Sequence, residues 1–497
     1  MNISLFLQMA ADTDPDRIAL VCDGRRWSYA ALLRAATGAA RMIGTSGAAH
    51  VALLDEGSEA SAIALFGAAL AGVPYVPLNY RLADADLAAL LARIAPAYIV
   101  GDVERIGRLN PDGGHIALSR EDFAAAAEAA ADGPDLAESD ETIAIQLFTS
   151  GTTAAPKAAV LRHSNLVSYI LGTVEFAAAP EDEAALVCVP PYHIAGIAAL
   201  LSSVYAMRRI VMLPAFDPDI WLALVATERA TNAFVVPTML SRIVAAMDAR
   251  PHGDIASLRA IAYGGGRMPG ELIDRALDLF PATGFTNAYG LTETSSTVAL
   301  LGPDEHRAAH RASDPEARAR LSSVGRPLPT IELEIRDDEG NLLPAGERGE
   351  IYVRGDQVSG EYKDRSALDA QGWFPTRDAG WLDAEGYLFL AGRADDVIVR
   401  GGENISPGEI EDVLQAHAAI ADVAAVAVPS VEWGEAVGVA VACHRAHDRP
   451  SEAELRALVK ERLRSSRVPE RIVFVDALPY NEMGKLLRRE VKAILAA

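Results

Sequence analysis

The chain has 497 residues, more than one hydrophobic core usually contains, so its length predicts two or more domains. Half of the residues are hydrophobic and 23% are charged, a balance typical of globular proteins. The formal net charge of -23 gives the protein an electrostatic field that repels polyanions. Nucleic acids and anionic membranes are therefore not expected as partners.

Cysteine usage and the first residues indicate the compartment. The three cysteines are far apart, odd in number and without metal-ligand spacing, which argues against a disulfide framework and a zinc site; they are Cys22, Cys188 and Cys443. The amino terminus "MNISLFLQMAADTDPD" has no basic start, and glycine and proline interrupt the longest apolar run. We expect a cytoplasmic protein with neither a signal peptide nor a membrane span.

Along the chain, helical patterns such as "YAALLRAATGAARMIG" first alternate with short apolar strands such as "HVALLD", "AYIVGD" and "NAFVVP". This alternation predicts an α/β fold with largely parallel sheets flanked by helices. From about Val324 the pattern changes to period-two strands joined by turn residues, which predicts a small β-barrel or meander. We assign an N-terminal domain to residues 1–391, with a β-rich subdomain at 324–391, and a small α+β C-terminal domain to residues 392–497.

Local signals predict where two helices of the last domain begin. Ser406 with Glu409, and Ser451 with Glu454, have the S-x-x-E spacing of a capping box, and a proline follows Ser406. The alanine-rich stretch "EDFAAAAEAAADGPD" has no fixed apolar face, so we interpret it as a surface helix and loop.

The stretch "TSGTTAAPK", residues 149–157, has the composition of a phosphate-binding loop. Short hydroxyl side chains and a glycine follow an apolar strand, and Lys157 adds a positive charge. The spacing is not that of G-x-x-x-x-G-K-[ST], because the second glycine is missing and no Ser or Thr follows the lysine. Taken alone, the stretch is equally compatible with an ordinary polar hairpin.

Further segments follow in a definite order: "AYGGGRMP", "NAYGLTETS", "GWFPTRDAGWLD", "GRADDVIVRGGENISPGEIE" and "NEMGKLLRRE". With the loop, they resemble the adenylate-forming superfamily of acyl-CoA synthetases, peptide-synthetase adenylation domains and luciferases. The similarity covers nearly the whole chain and is greatest to acyl- and aryl-CoA ligases. It implies that a carboxylic acid attacks ATP to form an acyl-adenylate and pyrophosphate, and that the thiol of CoA then displaces AMP.

The resemblance also implies roles for individual residues in the first step. Lys485 would bridge the acid and the α-phosphate, Glu293 would hold Mg²⁺, and Thr292 would contact phosphate or metal. Tyr289 would stack on adenine, and Asp378 would accept hydrogen bonds from both ribose hydroxyls. The full set expected at ATP or AMP is Thr149, Ser150, Gly151, Thr152, Thr153, Lys157, Gly265, Gly266, Arg267, Asn287, Ala288, Tyr289, Gly290, Asp378 and Arg393.

For the second step, the resemblance implies a mobile C-terminal domain that first presents Lys485 and then forms the CoA path. Asp395 matches the hinge position of the family. Gly401 and Gly402 would line the pantetheine path, where glycine allows close approach. Trp433 would offer a face to the CoA adenine, although an exposed tryptophan that packs on its own domain is an alternative interpretation.

The acyl pocket is expected around His193, Gly264, Gly290 and Leu291. His193 matches an aromatic position at the mouth of this pocket, although a lone histidine is often structural. Gly266 stands where many relatives have alanine, which removes a methyl group from the pocket floor. We therefore expect a bulky hydrophobic acid as substrate rather than acetate or a dicarboxylate.

Two positions depart from the family pattern. Ala154 and Arg377 each replace a usual glycine, the first in the phosphate loop and the second before Asp378. A Cβ in that loop restricts its backbone and stands where phosphate oxygens approach, so Ala154 is the more serious change. The sequence therefore leaves three functions open: a complete acyl-CoA ligase, an adenylation-impaired enzyme that receives acyl-AMP from a separate adenylating enzyme, and an enzyme that loads a carrier protein.

Overall fold

The computed structural model describes most of the chain: residues 1–109, 114–132, 142–149, 156–249, 254–393, 396, 398–400, 403–430, 433–444, 449–463, 465–480 and 486–496. Several predicted site residues lie outside the described residues; they are Ser150, Gly151, Thr152, Thr153, Ala154, Asp395, Gly401, Gly402 and Lys485.

The first part of the chain alternates helices and strands: α1 Ser4–Thr13, β1 Ile18–Cys22, β2 Arg25–Ser28, α2 Tyr29–Ser46, β3 His50–Leu54, α3 Glu59–Ala71, β4 Tyr75–Pro77, α4 Asp84–Ile94, β5 Ala97–Gly101, α5 Val103–Leu109, β6 His115–Leu118, α6 Arg120–Ala129, β7 Ile143–Thr149, β8 Lys157–Arg162 and α7 His163–Thr173. Strands β3 and β5 are buried along their whole length and pair in parallel, as expected for continuous apolar runs covered on both faces. Helix α3 is apolar on nearly every side and lies within the largest core cluster.

The alternation continues in the second part: β9 Ala184–Val187, α8 Ile194–Tyr205, β10 Arg209–Met212, α9 Pro218–Thr227, β11 Asn232–Val235, α10 Pro237–Ala249, β12 Ala260–Gly264, α11 Gly270–Leu279, β13 Gly284–Leu291, β14 Ser296–Leu301, α12 Pro303–Arg311, α13 Pro315–Ala319 and β15 Arg326–Pro327. Within the described residues, nine strands form one sheet in the order β15-β14-β13-β12-β11-β9-β10-β1-β2. Neighbouring strands from β13 to β1 in this order pair in parallel, so the carboxyl ends of β12 and β13 meet at one edge of the sheet.

The next strands are β16 Glu332–Arg336, β17 Gly349–Arg354, β18 Glu361–Tyr362, β19 Arg365–Ser366, β20 Phe374–Leu382 and β21 Leu388–Arg393. In the described chain, β16, β17, β20 and β21 form a small antiparallel sheet, which confirms the period-two prediction. The two-residue strand β18 instead joins β8 in the other large sheet, whose order is β19-β18-β8-β7-β4-β3-β5-β6.

The final section contains β22 Ile398–Arg400, β23 Glu403–Ile405, α14 Pro407–Gln415, β24 Ile420–Ser430, β25 Gly434–Cys443, α15 Glu452–Arg462, β26 Arg471–Val475 and α16 Arg488–Ala496. Its described strands form one mixed sheet with its own core. The predicted fold class is thus confirmed: parallel-rich sheets flanked by helices, a small β unit and a small α+β domain.

One local prediction was wrong, and another was correct about the helix but wrong about its lack of a buried face. Ser406 makes no cap at α14, because its hydroxyl donates to the carbonyl of Ala391 at 2.7 Å. The alanine-rich helix α6 has a definite buried face formed by Phe123, Ala124 and Ala127. This face packs so closely on α2 that a Cβ at Gly38 would lie 1.8 Å from the carbonyl oxygen of Ala127.

The other predicted cap is half correct. The Ser451 hydroxyl accepts a hydrogen bond from the Glu454 backbone N–H at 3.1 Å, but the Glu454 carboxylate lies 3.3 Å from His417. Both helices nevertheless begin where the sequence predicted. Among the described helices, none is long and apolar enough to cross a membrane.

Candidate active site

The carboxyl ends of β12 and β13 bring several predicted site residues to one edge of the nine-stranded sheet. Gly264 at the end of β12 pairs with Ala288 of β13, and Gly265 and Gly266 follow it. The register of β13 against β14 shifts between Tyr289 and Gly290. A Cβ at Gly290 would lie 1.8 Å from the Ser296 carbonyl oxygen, so the close approach of the two strands requires glycine there.

A short 3₁₀ turn, Thr292–Thr294, follows β13 and contains Glu293. The turn is fixed because the Thr294 hydroxyl accepts a hydrogen bond from the Leu291 N–H at 2.9 Å. Asn287 is buried, and its side-chain amide donates to the carbonyl of Ser323 at 3.0 Å. In this structure Asn287 therefore anchors a neighbouring segment.

Tyr289, Asp378 and Arg393 form a compact cluster where β13 meets the small antiparallel sheet. The Tyr289 hydroxyl donates to Oδ2 of Asp378 at 2.7 Å. Nε of Arg393 lies 3.2 Å from Oδ1 of the same carboxylate, and its guanidinium also donates to the carbonyl of Thr376. Burial, and then the negative charge of Asp378, raise the pKa of Tyr289 well above its ordinary value. The tyrosine therefore remains a donor, and the carboxylate is held in one orientation.

Arg377, beside this cluster, has a left-handed backbone with φ of 62°. Its N–H donates to Oε1 of Glu350 at 3.1 Å. This conformation favours glycine and costs an ordinary residue about 1 kcal/mol. The left-handed backbone explains why glycine is favoured at this position. Asp378, the next residue, still forms its contacts with Tyr289 and Arg393.

Lys157 and Glu293 are brought together by a third residue, Tyr362. The Tyr362 hydroxyl donates to Oε1 of Glu293 at 2.7 Å, and Nζ of Lys157 lies 5.8 Å from the centroid of the Tyr362 ring. Burial first, and then Glu293, raise the pKa of this tyrosine. Sequence reasoning missed Tyr362 because it is 69 residues from Glu293 and belongs to no motif with a fixed spacing.

Thr149 and Lys157 pair across β7 and β8, with the phosphate-loop residues between them. At the exit of the loop, the Arg93 guanidinium donates to the Pro156 carbonyl at 2.5 Å and lies over the Phe148 ring at 4.8 Å. Both ends of the loop are thus held by described residues.

The donor set near Glu293 suits magnesium. In the described part of the chain, no group of three or more His, Cys, Asp or Glu side chains could hold a metal ion. Mg²⁺ commonly keeps several waters and takes one or two protein carboxylates when phosphates supply other ligands. A single carboxylate, with one oxygen oriented by Tyr362, fits that pattern.

His193, predicted at the mouth of the acyl pocket, lies at the start of α8. Its ring packs on Tyr192 with centroids 4.4 Å apart, and within the described residues its Nε2 has no hydrogen-bond partner. Burial, followed by the positive charge of Arg81, lowers the pKa of His193 to about 4. The imidazole is therefore neutral at physiological pH.

A narrow, mostly apolar cavity lies between α3, α8 and β9. Its lining includes Tyr75, Val187, Ile197, Leu200 and Met212.

Arg267 turns toward the C-terminal domain in this structure. Its guanidinium donates to the carbonyl of Gly408 at 2.9 Å, pairs with Asp412 and lies 3.7 Å from Glu411. The nucleotide contact expected of Arg267 stays a prediction. Trp433 is 42% exposed, and the Arg400 guanidinium lies 5.4 Å from its ring centroid.

Comparison with protein-family models identifies the family to which the chain belongs. The model of the AMP-binding enzyme family matches residues 7–363, and that of the AMP-binding enzyme C-terminal domain matches residues 409–485. The chain belongs to the AMP-binding enzyme family.

Among curated members of this family, feruloyl-CoA synthase from Amycolatopsis sp. is 32% identical over 97% of this chain and 96% of its own length. The fatty acid–[acyl-carrier-protein] ligase ScoC from Streptomyces coeruleorubidus is 31% identical over 97% of this chain and 94% of its own.

The o-succinylbenzoate CoA synthetase (MenE) of Bacillus subtilis has solved structures of the same fold. Its complex with the acyl-adenylate OSB-AMP has a TM-score of 0.84 and 27% identity, covering 98% of this chain and 97% of that chain. Its complex with ATP and a magnesium ion has a TM-score of 0.82 and 26% identity, covering 98% and 99%. The present protein is an acid–thiol ligase of the acyl- or aryl-CoA ligase type.

Proposed function

We propose that this protein is a complete ATP-dependent ligase that activates a bulky hydrophobic carboxylic acid as its acyl-adenylate and transfers the acyl group to CoA. The observation that carries the proposal is the pair of clusters formed around the end of β13 and the turn that follows it: Tyr289 with Asp378 and Arg393, and Tyr362 with Glu293 and Lys157. Each supplies the charge and donor groups that one end of ATP requires.

The first cluster suits the nucleoside. A carboxylate has about four lone-pair sites, so Asp378 can accept ribose hydroxyls in addition to its present donors. Because Tyr289 and Arg393 fix its orientation, little side-chain freedom is lost on binding.

The second cluster suits the triphosphate. Negative charge on the phosphoryl oxygens is stabilised best by cations and donors that are already in place. Lys157 would contribute a positive charge and Glu293 a metal ligand; Mg²⁺ would neutralise part of the phosphate charge when bound. Lys485 would complete the adenylation site, as the family resemblance implies.

The residues predicted at the acyl pocket support a bulky hydrophobic substrate. His193 is neutral and packs on the Tyr192 ring, and Gly266 leaves the predicted pocket floor without a methyl group. One relative of similar sequence, feruloyl-CoA synthase, is named for an aromatic monocarboxylic acid.

Ala154 favours a second candidate, an enzyme impaired in adenylation that takes preformed acyl-AMP from a separate enzyme. The acyl-adenylate has no β or γ phosphate, so its use would be affected much less by a Cβ in the phosphate loop. The carrier-protein ligase among the relatives keeps open a third function, the loading of a carrier protein.

The direct test is formation of acyl-CoA from ATP, CoA and a panel of acids. Ferulic acid and a medium-chain fatty acid are expected to exceed acetate and malonate by at least tenfold in kcat/KM. Preference for acetate or malonate would refute the bulky-acid assignment. Transfer to a carrier protein but not to CoA would refute the choice of thiol.

A further inference from the structure

A short segment, residues 359–362, connects the phosphate-loop strand to the turn that carries Glu293. Tyr362 pairs with Ala159 of β8 in antiparallel register, two residues beyond Lys157. Glu361 forms a bidentate ion pair with Arg162 at the other end of β8, with both contacts at 2.8 Å. The segment is therefore fixed to the strand that begins with Lys157.

The same segment holds the backbone of Glu293. The N–H groups of Ser359 and Gly360 both donate to the Glu293 carbonyl, at 2.9 and 3.1 Å. The Ser359 hydroxyl donates to the carbonyl of Val160 in β8. Residues 359–360 thus join the backbone of β8 to the backbone of the turn.

Tyr362 extends this connection to the side chains. Its hydroxyl donates to Oε1 of Glu293 at 2.7 Å, and among the described residues no hydrogen bond reaches Oε2. On its ring, Nζ of Lys157 lies 5.8 Å from the centroid, within the range of a cation–π contact. One side chain therefore contacts the carboxylate and the cation that we assign to the triphosphate.

We propose that Tyr362 is a positioning residue for the adenylation step, which holds Glu293 with Oε2 available to magnesium and holds the ammonium of Lys157 beside it. This inference rests on the proposed roles of Glu293 and Lys157. A tyrosine that acted only in folding would affect all nucleotides alike, whereas a positioning residue for the triphosphate should affect ATP and leave AMP unchanged.

The test is calorimetric binding of MgATP and of AMP to Tyr362→Phe, without acid, so that no turnover occurs. The variant keeps the ring and loses a hydrogen bond to a charged group. We expect the Kd of MgATP to rise about tenfold and that of AMP to change less than twofold. Equal weakening of both ligands, or no change in either, would overturn the proposal.

Tyr387→Phe is a matched control. The Tyr387 hydroxyl donates to Oε1 of Glu305 at 2.9 Å, and arginine guanidinium groups lie over its ring, but neither Tyr387 nor Glu305 is among the predicted phosphate contacts. Tyr387→Phe should change neither the Kd of MgATP nor the Kd of AMP.

Glu293→Gln separates failure of this inference from failure of the proposed function. If Glu293→Gln weakens MgATP but Tyr362→Phe does not, Glu293 keeps its role and the inference about Tyr362 is wrong. If Glu293→Gln also leaves MgATP binding unchanged, the proposed role of Glu293 fails, and the inference about Tyr362 fails with it.

Discussion

The phenolic oxygen of Tyr289 lies 2.7 Å from Oδ2 of Asp378, and this hydrogen bond joins β13 of the nine-stranded sheet to β20 of the small antiparallel sheet. The contact involves a charged acceptor, and Tyr289 is buried. The nucleoside part of the site therefore depends on the packing of one sheet against the other.

Tyr289→Phe should weaken AMP and ATP equally, by about tenfold in Kd, because Asp378 loses a donor that orients it. Calorimetry with both nucleotides measures this directly. Loss of ATP affinity with unchanged AMP affinity would contradict the assignment of this cluster to the nucleoside.

Arg377→Gly should raise the free energy of unfolding by up to about 1 kcal/mol, because glycine adopts the left-handed backbone at this position without strain. The side chain that is lost is 65% exposed and 3.8 Å from Glu350, so its ion pair contributes little. Urea unfolding measures the change. Arg471→Gly, at an exposed strand position, is the control and should lower the free energy of unfolding. A similar decrease in Arg377→Gly would show that the backbone of Arg377 is not strained.

Gly266→Ala should fold normally but narrow the acyl pocket. A Cβ at Gly266 would meet Pro237 at 3.6 Å, an ordinary contact, whereas one at Gly290 would lie 1.8 Å from a carbonyl oxygen. We expect Gly266→Ala to keep its Tm and to lose about tenfold in kcat/KM for the bulkiest acids. Gly290→Ala should not fold stably. Unchanged selectivity in Gly266→Ala would mean that Gly266 does not border the pocket.

Protein stability should fall as the pH drops below the ordinary histidine range, partly because of His306. This fully buried ring contacts the carbonyl of Gly302 through Nδ1 and the Tyr263 hydroxyl through Nε2, both at 2.8 Å. Burial lowers its pKa, so the unfolded chain takes up a proton before the folded protein does. The contribution of the neutral His306 ring to protein stability is complete above about pH 6.5. It is lost as the pH falls toward the pKa of His306 in the folded protein.

The free energy of unfolding of the wild type should therefore fall between pH 6.5 and 5, by up to about 1.4 kcal/mol per pH unit for this one group. His306→Gln should show a smaller slope over the same range. An identical slope in both proteins would exclude His306 as a source of the pH dependence.

The sequence was informative where the signal is local or belongs to a motif. Apolar runs predicted β3 and β5, and the motif residues Asp378 and Arg393 lie side by side, as expected of one nucleotide site. The sequence did not predict features that depend on contacts between residues far apart in the chain. Ser406 has the spacing of a cap but bonds Ala391, and Tyr362 reaches Glu293 through the pairing of β18 with β8. Such pairings depend on tertiary structure, which a single sequence does not encode in any spacing.

The most direct test of the central claim is to measure the two half-reactions separately, in the wild type and in Ala154→Gly. The assays are acid-dependent exchange of pyrophosphate with ATP and conversion of synthetic acyl-adenylate to acyl-CoA. Our account predicts that the wild type performs both, and that glycine increases exchange by less than tenfold. Acyl-CoA formation without detectable exchange, with exchange restored in Ala154→Gly, would contradict it and establish an enzyme specialised for the thioester step.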